Sequence, residues 1–215
     1  MQVKLVWATE DLDAKLAYIA RVSNPDNQNN TNIQGLLAYM LREGHVSPFE
    51  MANVCLEINT PRDIARQALR HKSFGIQEFS QRYQSMDKLG NFILREFRLQ
   101  DTTNRQSSIE VENDDWRAVE WQKRQEELLK LARKHYEWCL GVGGAKEVAR
   151  TVLPEGHTPS RMYFNGTLRS WIFYLESRLH PSTQKEHRNL AKEILQVLRT
   201  VAPVTMSAFF GEENG

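Results

Sequence analysis

Residues 2–7 alternate Val3, Leu5 and Trp7 with polar or small neighbours, which predicts a strand. Leu12, Leu16, Ile19 and Ala20 then recur at helical spacing. An asparagine-rich break over residues 24–30 precedes a second helix at 33–42, where Leu36, Leu37, Met40 and Leu41 share a face and Gly44 supplies the stop. Over residues 51–58, Ala52, Val54, Leu56 and Ile58 fall on one side of a second strand. Thr60 as a cap, Pro61 at the first helical position and Asp63 in the first turn predict a helix beginning there. Residues 92–99 read as a further strand and 101–113 as a polar loop. The longest helix is expected at 114–140, with Trp121, Leu128, Leu131, Ala132, His135 and Cys139 along a core-facing stripe. The run Gly141-Val142-Gly143-Gly144 follows a helix rather than a strand and lacks the last glycine of a dinucleotide fingerprint, so it reads as a helix stop. Three more helices are expected at 145–153, 166–179 and 183–201, the last opened by a Thr183/Glu186 capping box.

No internal repeat or linker divides this pattern. The mixed order of strands and helices predicts one α+β domain over residues 1–215, a mainly antiparallel sheet flanked by helices with one of them long. Lys and Arg total 28 against 27 Asp and Glu, so no overall basic excess exists to coat a nucleic acid, and any anion site must be a local cluster. Cys55 and Cys139 cannot form a disulfide framework and fit a reducing compartment. With no signal-peptide pattern, no apolar run of about 18 residues and a mean hydropathy of -0.57, the expectation is a cytoplasmic protein with no membrane contact. His45, His71, His135, His157, His180 and His187 show no recognised ligand spacing, so no metal site is expected.

The chemistry concentrates in residues 62–83. Arg62, Arg66 and Arg70 repeat at i, i+4 and i+8, and each unpaired neighbouring pair on a helix would cost about 0.2–0.5 kcal/mol. Either an anionic ligand compensates them, or Glu50, Glu57 or Glu78 does. His71 and Lys72 extend the positive end, and Ser80, Gln81 and Arg82 add hydroxyl, amide and guanidinium donors, a mixture suited to a phosphate joined to a ring. A second set of cations comprises Arg150, Arg161, Arg169 and Arg178. The last two sit among Leu168, Trp171, Ile172, Tyr174 and Leu175, where guanidinium groups favour an anion or interface role.

Arg70-His71-Lys72, seven residues, then Ser80-Gln81-Arg82 resembles the R-H-R-x7-S-x-R signature of the flavin-dependent thymidylate synthases. Other family-like pieces stand in the same order: Ala20-Arg21-Val22-Ser23, Gly44 to Glu50, Gln67, Glu78, Glu147-Val148-Ala149-Arg150, and Arg178 followed by Gln184 and Glu186. The resemblance implies a homotetramer that converts dUMP to dTMP, taking a one-carbon unit from 5,10-methylenetetrahydrofolate and a hydride from FAD recharged by NADPH. It implies that Ser23, Ser47, Arg70, His71, Lys72, Glu78, Thr167, Leu168, Arg169 and Phe173 hold FAD. It also implies that Gln67, Arg70, Glu78, Ser80, Gln81, Arg82 and Arg150 hold dUMP, with Arg178 the catalytic residue that favours the N3-ionised pyrimidine and activates C5. Cys55 lies in an alternating strand with no basic neighbour to lower its pKa, and Cys139 falls on the core-like stripe of the long helix, which suits a route that needs no thiolate nucleophile.

Two departures stand out. Lys72 replaces the third arginine of the signature and cannot stack or bind in a fork, so weaker FAD retention is expected. Thr167 and Phe173 fall where family members often carry Asn, or His at the second place, which leaves backbone rather than side-chain contacts to the flavin. A rival of another class is a nucleotide- or RNA-binding module that uses these arginines on phosphates and Phe74, Phe79 and Tyr83 as stacking platforms. Near-neutral charge and the scattered second arginine group oppose it, and no nucleic-acid partner is expected.

Overall fold

The computed structural model describes residues 1–212. Strands β1 (Gln2–Ala8), β2 (Asn53–Pro61), β3 (Gly75–Glu78) and β6 (Pro159–Thr167) form an antiparallel sheet in the order β1-β2-β6-β3. Two short strands, β4 (Arg98–Gln100) and β5 (Ser108–Glu110), pair separately. The helices are α1 (Leu12–Ala20), α2 (Gln34–Arg42), α3 (Arg62–Ala68), α4 (Trp116–Gly141), α5 (Lys146–Ala149), α6 (Leu168–Arg178), α7 (Lys185–Val201) and α8 (Pro203–Phe210). Among the described residues no helix is long and apolar enough to cross a membrane, and no group of three or more His, Cys, Asp or Glu residues could hold a metal ion.

The core lies on one face of the sheet. Val54, Leu56 and Ile58 of β2 and Met162 and Phe164 of β6 are fully buried against helices that contribute Leu16, Trp171, Leu175, Leu190, Ile194 and Leu198. The opposite face is polar, with Glu57 accepting from the Tyr163 hydroxyl at 3.0 Å and Asn59 from Arg161 at 3.0 Å. That alternation is the pattern of a sheet covered on one side only. A smaller cluster of Met86, Tyr136, Ala149 and Leu153 fixes α4 and α5.

Several sequence expectations change here. A bulge between Leu5 and Trp7 places Trp7 opposite Cys55, on the polar face, so Val3, Leu5 and Trp7 do not share a side. Pro61 is extended (φ -62°, ψ 150°) and ends β2, Thr60 pairs with Ser160 in the ladder, and the helix starts at Arg62, so Thr60 is not a cap. Residues 92–97 form no strand, and the expected loop at 101–113 contains β5. Gly166 and Thr167 belong to β6, and α6 begins at Leu168. The Thr183/Glu186 capping box does not form: α7 starts at Lys185, the Thr183 hydroxyl donates to the Ser177 carbonyl, and the Glu186 carboxylate accepts from the Gln184 side chain. On α4 the buried residues are Gln125, Leu129, Ala132 and Tyr136, while Leu128 and Leu131 are half exposed.

Candidate active site

Helix α3 divides its faces by the 100° step of the helix. Ile64, Ala65 and Ala68 enter the core, Arg62 and Arg66 point one way, and Asp63 and Gln67 another. Backbone bonds from Arg70 N–H to Gln67 O and from His71 N–H to Ala68 O close the helix in a tight turn, leaving Arg70 in solvent and His71 half buried. Phe74 then anchors the segment, stacked on Phe164 at 4.5 Å and edge-on to Trp171 at 4.6 Å. It lies directly over Gly166, where any β-carbon would collide with the ring. Packed in this way, Phe74 is not a free stacking platform for a nucleic acid.

Pairing of β3 with β6 delivers the Glu78 carboxylate to α3. Oε1 accepts from Ser160 Oγ at 2.7 Å and lies 3.5 Å from Arg62 Nη1, and Oε2 lies 3.5 Å from Arg66 Nη1. Arg66 also reaches Glu155 at 3.4 Å. Of the three carboxylates that could neutralise the arginine face, Glu78 does so, whereas Glu57 pairs with Arg161 and Glu50 with Arg169. Beside Glu78 lies a cavity of about 280 Å3 lined by Arg62, Arg66, Gln81, Arg150, Thr151, Leu153 and Glu155. Arg62 Nη1 and Gln81 Nε2 are buried there without a hydrogen-bond partner. Burial lowers the pKa of Arg62 and Glu78 opposes that shift, while Arg66 and Arg150 crowd the same charge. The unpartnered Gln81 amide together with the guanidinium groups of Arg62, Arg66 and Arg150 fits an anionic ligand. Arg82 lies outside this lining and pairs with Glu147 at 3.2 Å, and Ser80 is exposed.

A second group forms on the other side of α3. Arg178 Nε donates to His71 Nε2 at 2.9 Å. Burial first, and Arg178 second, pull the pKa of His71 down to about 4, so the ring is neutral at physiological pH and carries its proton on Nδ1. Arg178 therefore meets an imidazole at Nε rather than a carboxylate, and its positive charge is not cancelled there. Tyr174 packs edge-on to His71 at 4.8 Å, and its hydroxyl lies 2.8 Å from His187 Nε2. His187 Nδ1 is 3.1 Å from Gln67 Oε1, and Gln67 Nε2 donates to Gln184 Oε1 at 2.7 Å.

The third group surrounds the start of α6. Thr167 caps the helix by accepting from Ser170 N–H, and Arg169 donates to Glu50 at 2.8 Å with its guanidinium 5.3 Å from the centre of the exposed Phe173 ring. Hydrogen bonds from Thr167 and then Arg169 hold the Glu50 carboxyl below its usual range. Leu168 has its side chain in the core and its N–H on the Ala52 carbonyl. Lys72, Ser23 and Ser47 are exposed, the serines on the segments after α1 and α2. Arg169 Nε and Asn165 Oδ1 are buried without partners. The segment that follows Arg70 and Lys72 is joined to this region by the pairing of Gly75 with Asn165 and by the Ser170 hydroxyl on the Ser73 carbonyl, and together these groups suit a polyanionic ligand with a polar ring.

Sequence reasoning did not reach Tyr174, His187 and Ser160. His187 could have been found, because it falls in phase with Leu190, Ala191, Ile194 and Leu198 on the buried face of α7, where a histidine needs partners.

Residues 4–204 match the family model described as thymidylate synthase complementing protein. A probable flavin-dependent thymidylate synthase of Paramecium bursaria Chlorella virus 1 is 42% identical over 205 residues, covering 92% of this chain and 93% of that protein. The flavin-dependent thymidylate synthase of Synechocystis sp. is 42% identical over 194 residues, covering 90% and 87%. Among solved structures, a UMP/dUMP methylase, PolB from Streptomyces cacaoi bound with 5-Br dUMP, superposes with a TM-score of 0.81 at 26% identity, covering 97% of this chain and 93% of that one.

Proposed function

The chain belongs to the flavin-dependent thymidylate synthases, and from that premise we propose how its residues carry out the reductive methylation of dUMP to dTMP. The observation that carries the assignment is the pairing of Arg178 with a neutral His71, which fixes the guanidinium by Nε and leaves both terminal nitrogens to a ligand. An uncancelled guanidinium set against a pyrimidine carbonyl lowers the pKa of the neighbouring N3–H, and the ionised ring is more nucleophilic at C5. Gln67 positions the same ring. Arg150 and Gln81, lining the cavity beside Arg62 and Arg66, take the phosphate, with Arg70, Ser80 and Arg82 closing on it and Glu78 bridging Arg62 and Arg66.

FAD, when bound, supplies the hydride that completes the methyl group, with NADPH as its reductant and 5,10-methylenetetrahydrofolate as the one-carbon donor. Arg70, His71, Lys72, Glu78, the Thr167, Leu168, Arg169 segment and Phe173 would hold it, together with Ser23 and Ser47. Arg70 and Lys72 offer charge to the pyrophosphate, Arg169 offers an unpartnered Nε, and Leu168 contributes backbone alone.

A homotetramer is part of the proposal. Trp121, Leu128, Leu131 and Trp138 are 39–66% exposed on α4 at spacings of seven, three and seven residues, and the exposed Val142 follows at the helix end. That is the stripe of a helix seam awaiting a partner helix, and a second copy of α4 supplies one. The test of the whole reading is tritium release from [5-3H]dUMP by the purified protein with methylenetetrahydrofolate. Release that requires both FAD and NADPH is the expected result, and release without FAD overturns the reading.

A further inference from the structure

The polar groups behind Gln67 form a chain with only one consistent arrangement of protons. Glu186 lies at its end. Burial raises its pKa, but hydrogen bonds and the cations Arg98 and Arg95 outweigh burial and keep it ionised, with Arg98 at 2.7 Å. An ionised carboxylate only accepts. The Gln184 amide nitrogen, 2.9 Å away, must therefore face it, which turns Gln184 Oε1 toward Gln67. Gln67 must then present Nε2 to Gln184 and Oε1 to His187. A carbonyl oxygen facing His187 Nδ1 requires that nitrogen to carry the proton, so Nε2 is the acceptor and the Tyr174 hydroxyl donates to it. Each step follows from the one before, and the starting point is a charge.

We propose that His187 is a positioning residue for the candidate dUMP site, holding the Gln67 amide in one of its two flipped orientations through an Nδ1–H donated to Gln67 Oε1. This rests on the placement of Gln67 at the pyrimidine argued above. A free glutamine amide can present either end to a ligand, and flipping exchanges a donor for an acceptor at the same place. Here Gln67 keeps one N–H and one lone pair uncommitted, and both have fixed directions. His187 is fully buried and touches the proposed ligand only through Gln67. Tyr174 holds the ring against rotation through its hydroxyl at Nε2, and the Gln67 carbonyl at Nδ1 sets the tautomer. Burial makes protonation of His187 costly, so the chain does not reverse at physiological pH.

Two substitutions separate this role from simple packing. His187→Asn keeps a donor near the position of Nδ1, whereas His187→Gln extends its amide toward Nε2 and leaves Gln67 Oε1 without its donor. Both introduce an amide into the same cavity. The readout is the dissociation constant of dUMP, measured by calorimetry on FAD-loaded enzyme, with the melting temperature of each variant alongside. The expected result is that His187→Asn binds dUMP within about threefold of the wild type and His187→Gln about tenfold more weakly, the scale of one lost hydrogen bond. Glu186→Gln releases the end of the chain without touching Gln67, and it should weaken dUMP binding by about threefold or more. Equal dUMP affinity in His187→Gln and the wild type overturns the positioning role. So do equal losses in both His187 variants, and an affinity in Glu186→Gln that matches the wild type overturns the ordering of the chain. If wild-type enzyme fails to bind dUMP at all, it is the assignment of the site that falls.

Discussion

Replacing Glu78 with glutamine keeps the length of the side chain and removes its charge, and the cost can be worked from its three neighbours. Ser160 Oγ, 2.7 Å from Oε1, can still donate to the glutamine carbonyl, so that bond survives. The side chain of Arg66 is 47% exposed and keeps Glu155, so its loss is the small one of a surface pair, about 0–1 kcal/mol. Arg62 decides the outcome. Its side chain is only 7% exposed, Glu78 is the carboxylate 3.5 Å from its Nη1, and Arg66 and Arg150 already crowd it. Breaking a buried pair from one side costs about 3–5 kcal/mol, and the long contact and adjoining cavity put this one at the lower end, about 3 kcal/mol. In a domain of this size that corresponds to a fall in melting temperature of about 6–12 °C. The assay is thermal unfolding of FAD-free protein near neutral pH, with oligomeric state checked by light scattering. Arg62→Leu added to Glu78→Gln removes the stranded charge and should recover at least half of the loss, because an apolar replacement of a buried pair is often neutral. A Glu78→Gln protein that melts within about 1 °C of wild type, or a double variant less stable than the single one, refutes the reasoning.

Asp13→Ala should cost about 1–2 kcal/mol in urea unfolding, because the Asp13 carboxylate accepts from the Val204 and Thr205 N–H groups and so caps α8 from a different helix; an unchanged denaturation midpoint would remove that role. Acid should destabilise the protein through two rings. His71 and His187 have folded values of about 4 and about 3 against 6.5 for an ordinary histidine, so the unfolded chain binds more protons below 6.5. Their contribution is fully present above pH 6.5 and is lost as pH falls through about 4 for His71 and about 3 for His187, with a slope of up to about 1.4 kcal/mol per pH unit from each ring. His187→Leu should flatten the fall in melting temperature over that window, and an unchanged slope would show that the ring does not titrate on unfolding. Arg178→Ala should abolish tritium release from [5-3H]dUMP while leaving the FAD absorbance of the purified protein intact; FAD lost from a folded, correctly assembled variant would move Arg178 out of the substrate role.

The site was legible in the sequence where chemistry is carried by residue type at short spacing, and hidden where it depends on pairing across the chain. Arg70-His71-Lys72 and Ser80-Gln81-Arg82 were visible as donors because they lie within one segment. Glu78 as the partner of Arg62 and Arg66 was one of three candidates, and only the pairing of β3 with β6 selects it. Strand β6 itself was missed, and Gly166 and Thr167 were assigned to the following helix. Its sequence, PSRMYFNGT, opens with Pro and carries Asn-Gly near its end, which are turn signals, yet Met162 and Phe164 are wholly buried and Pro159 sits at the first position, where no ladder donor is needed. The long helix was found, but its buried face was misjudged. Leu128 and Leu131 look like core residues by type, yet about half of each is exposed, because the buried face of α4 is the one that carries Gln125, Leu129, Ala132 and Tyr136.

Helix α3 is seven residues long, too short to hold its own orientation by backbone bonds, and the two polar systems at its flanks set that orientation. On one side Arg62 and Arg66, one turn apart, share the Glu78 carboxylate. On the other Asp63 and Gln67, also one turn apart, meet Arg95 and the His187–Gln184 pair. Opposed contacts on faces about 100° apart fix rotation about the helix axis as well as translation along it. Because the helix closes at Gln67 and Ala68 in a tight turn, its rotation decides where Arg70 and His71 emerge, and His71 in turn holds Arg178. A change on either flank should therefore be felt at Arg178 even though neither flank touches it. Variants at Glu78 and at His187 accordingly belong to one coupled set, and their effects on dUMP affinity should depart from additivity, unlike those of Asp13, which lies in the α1–α8 contact away from α3.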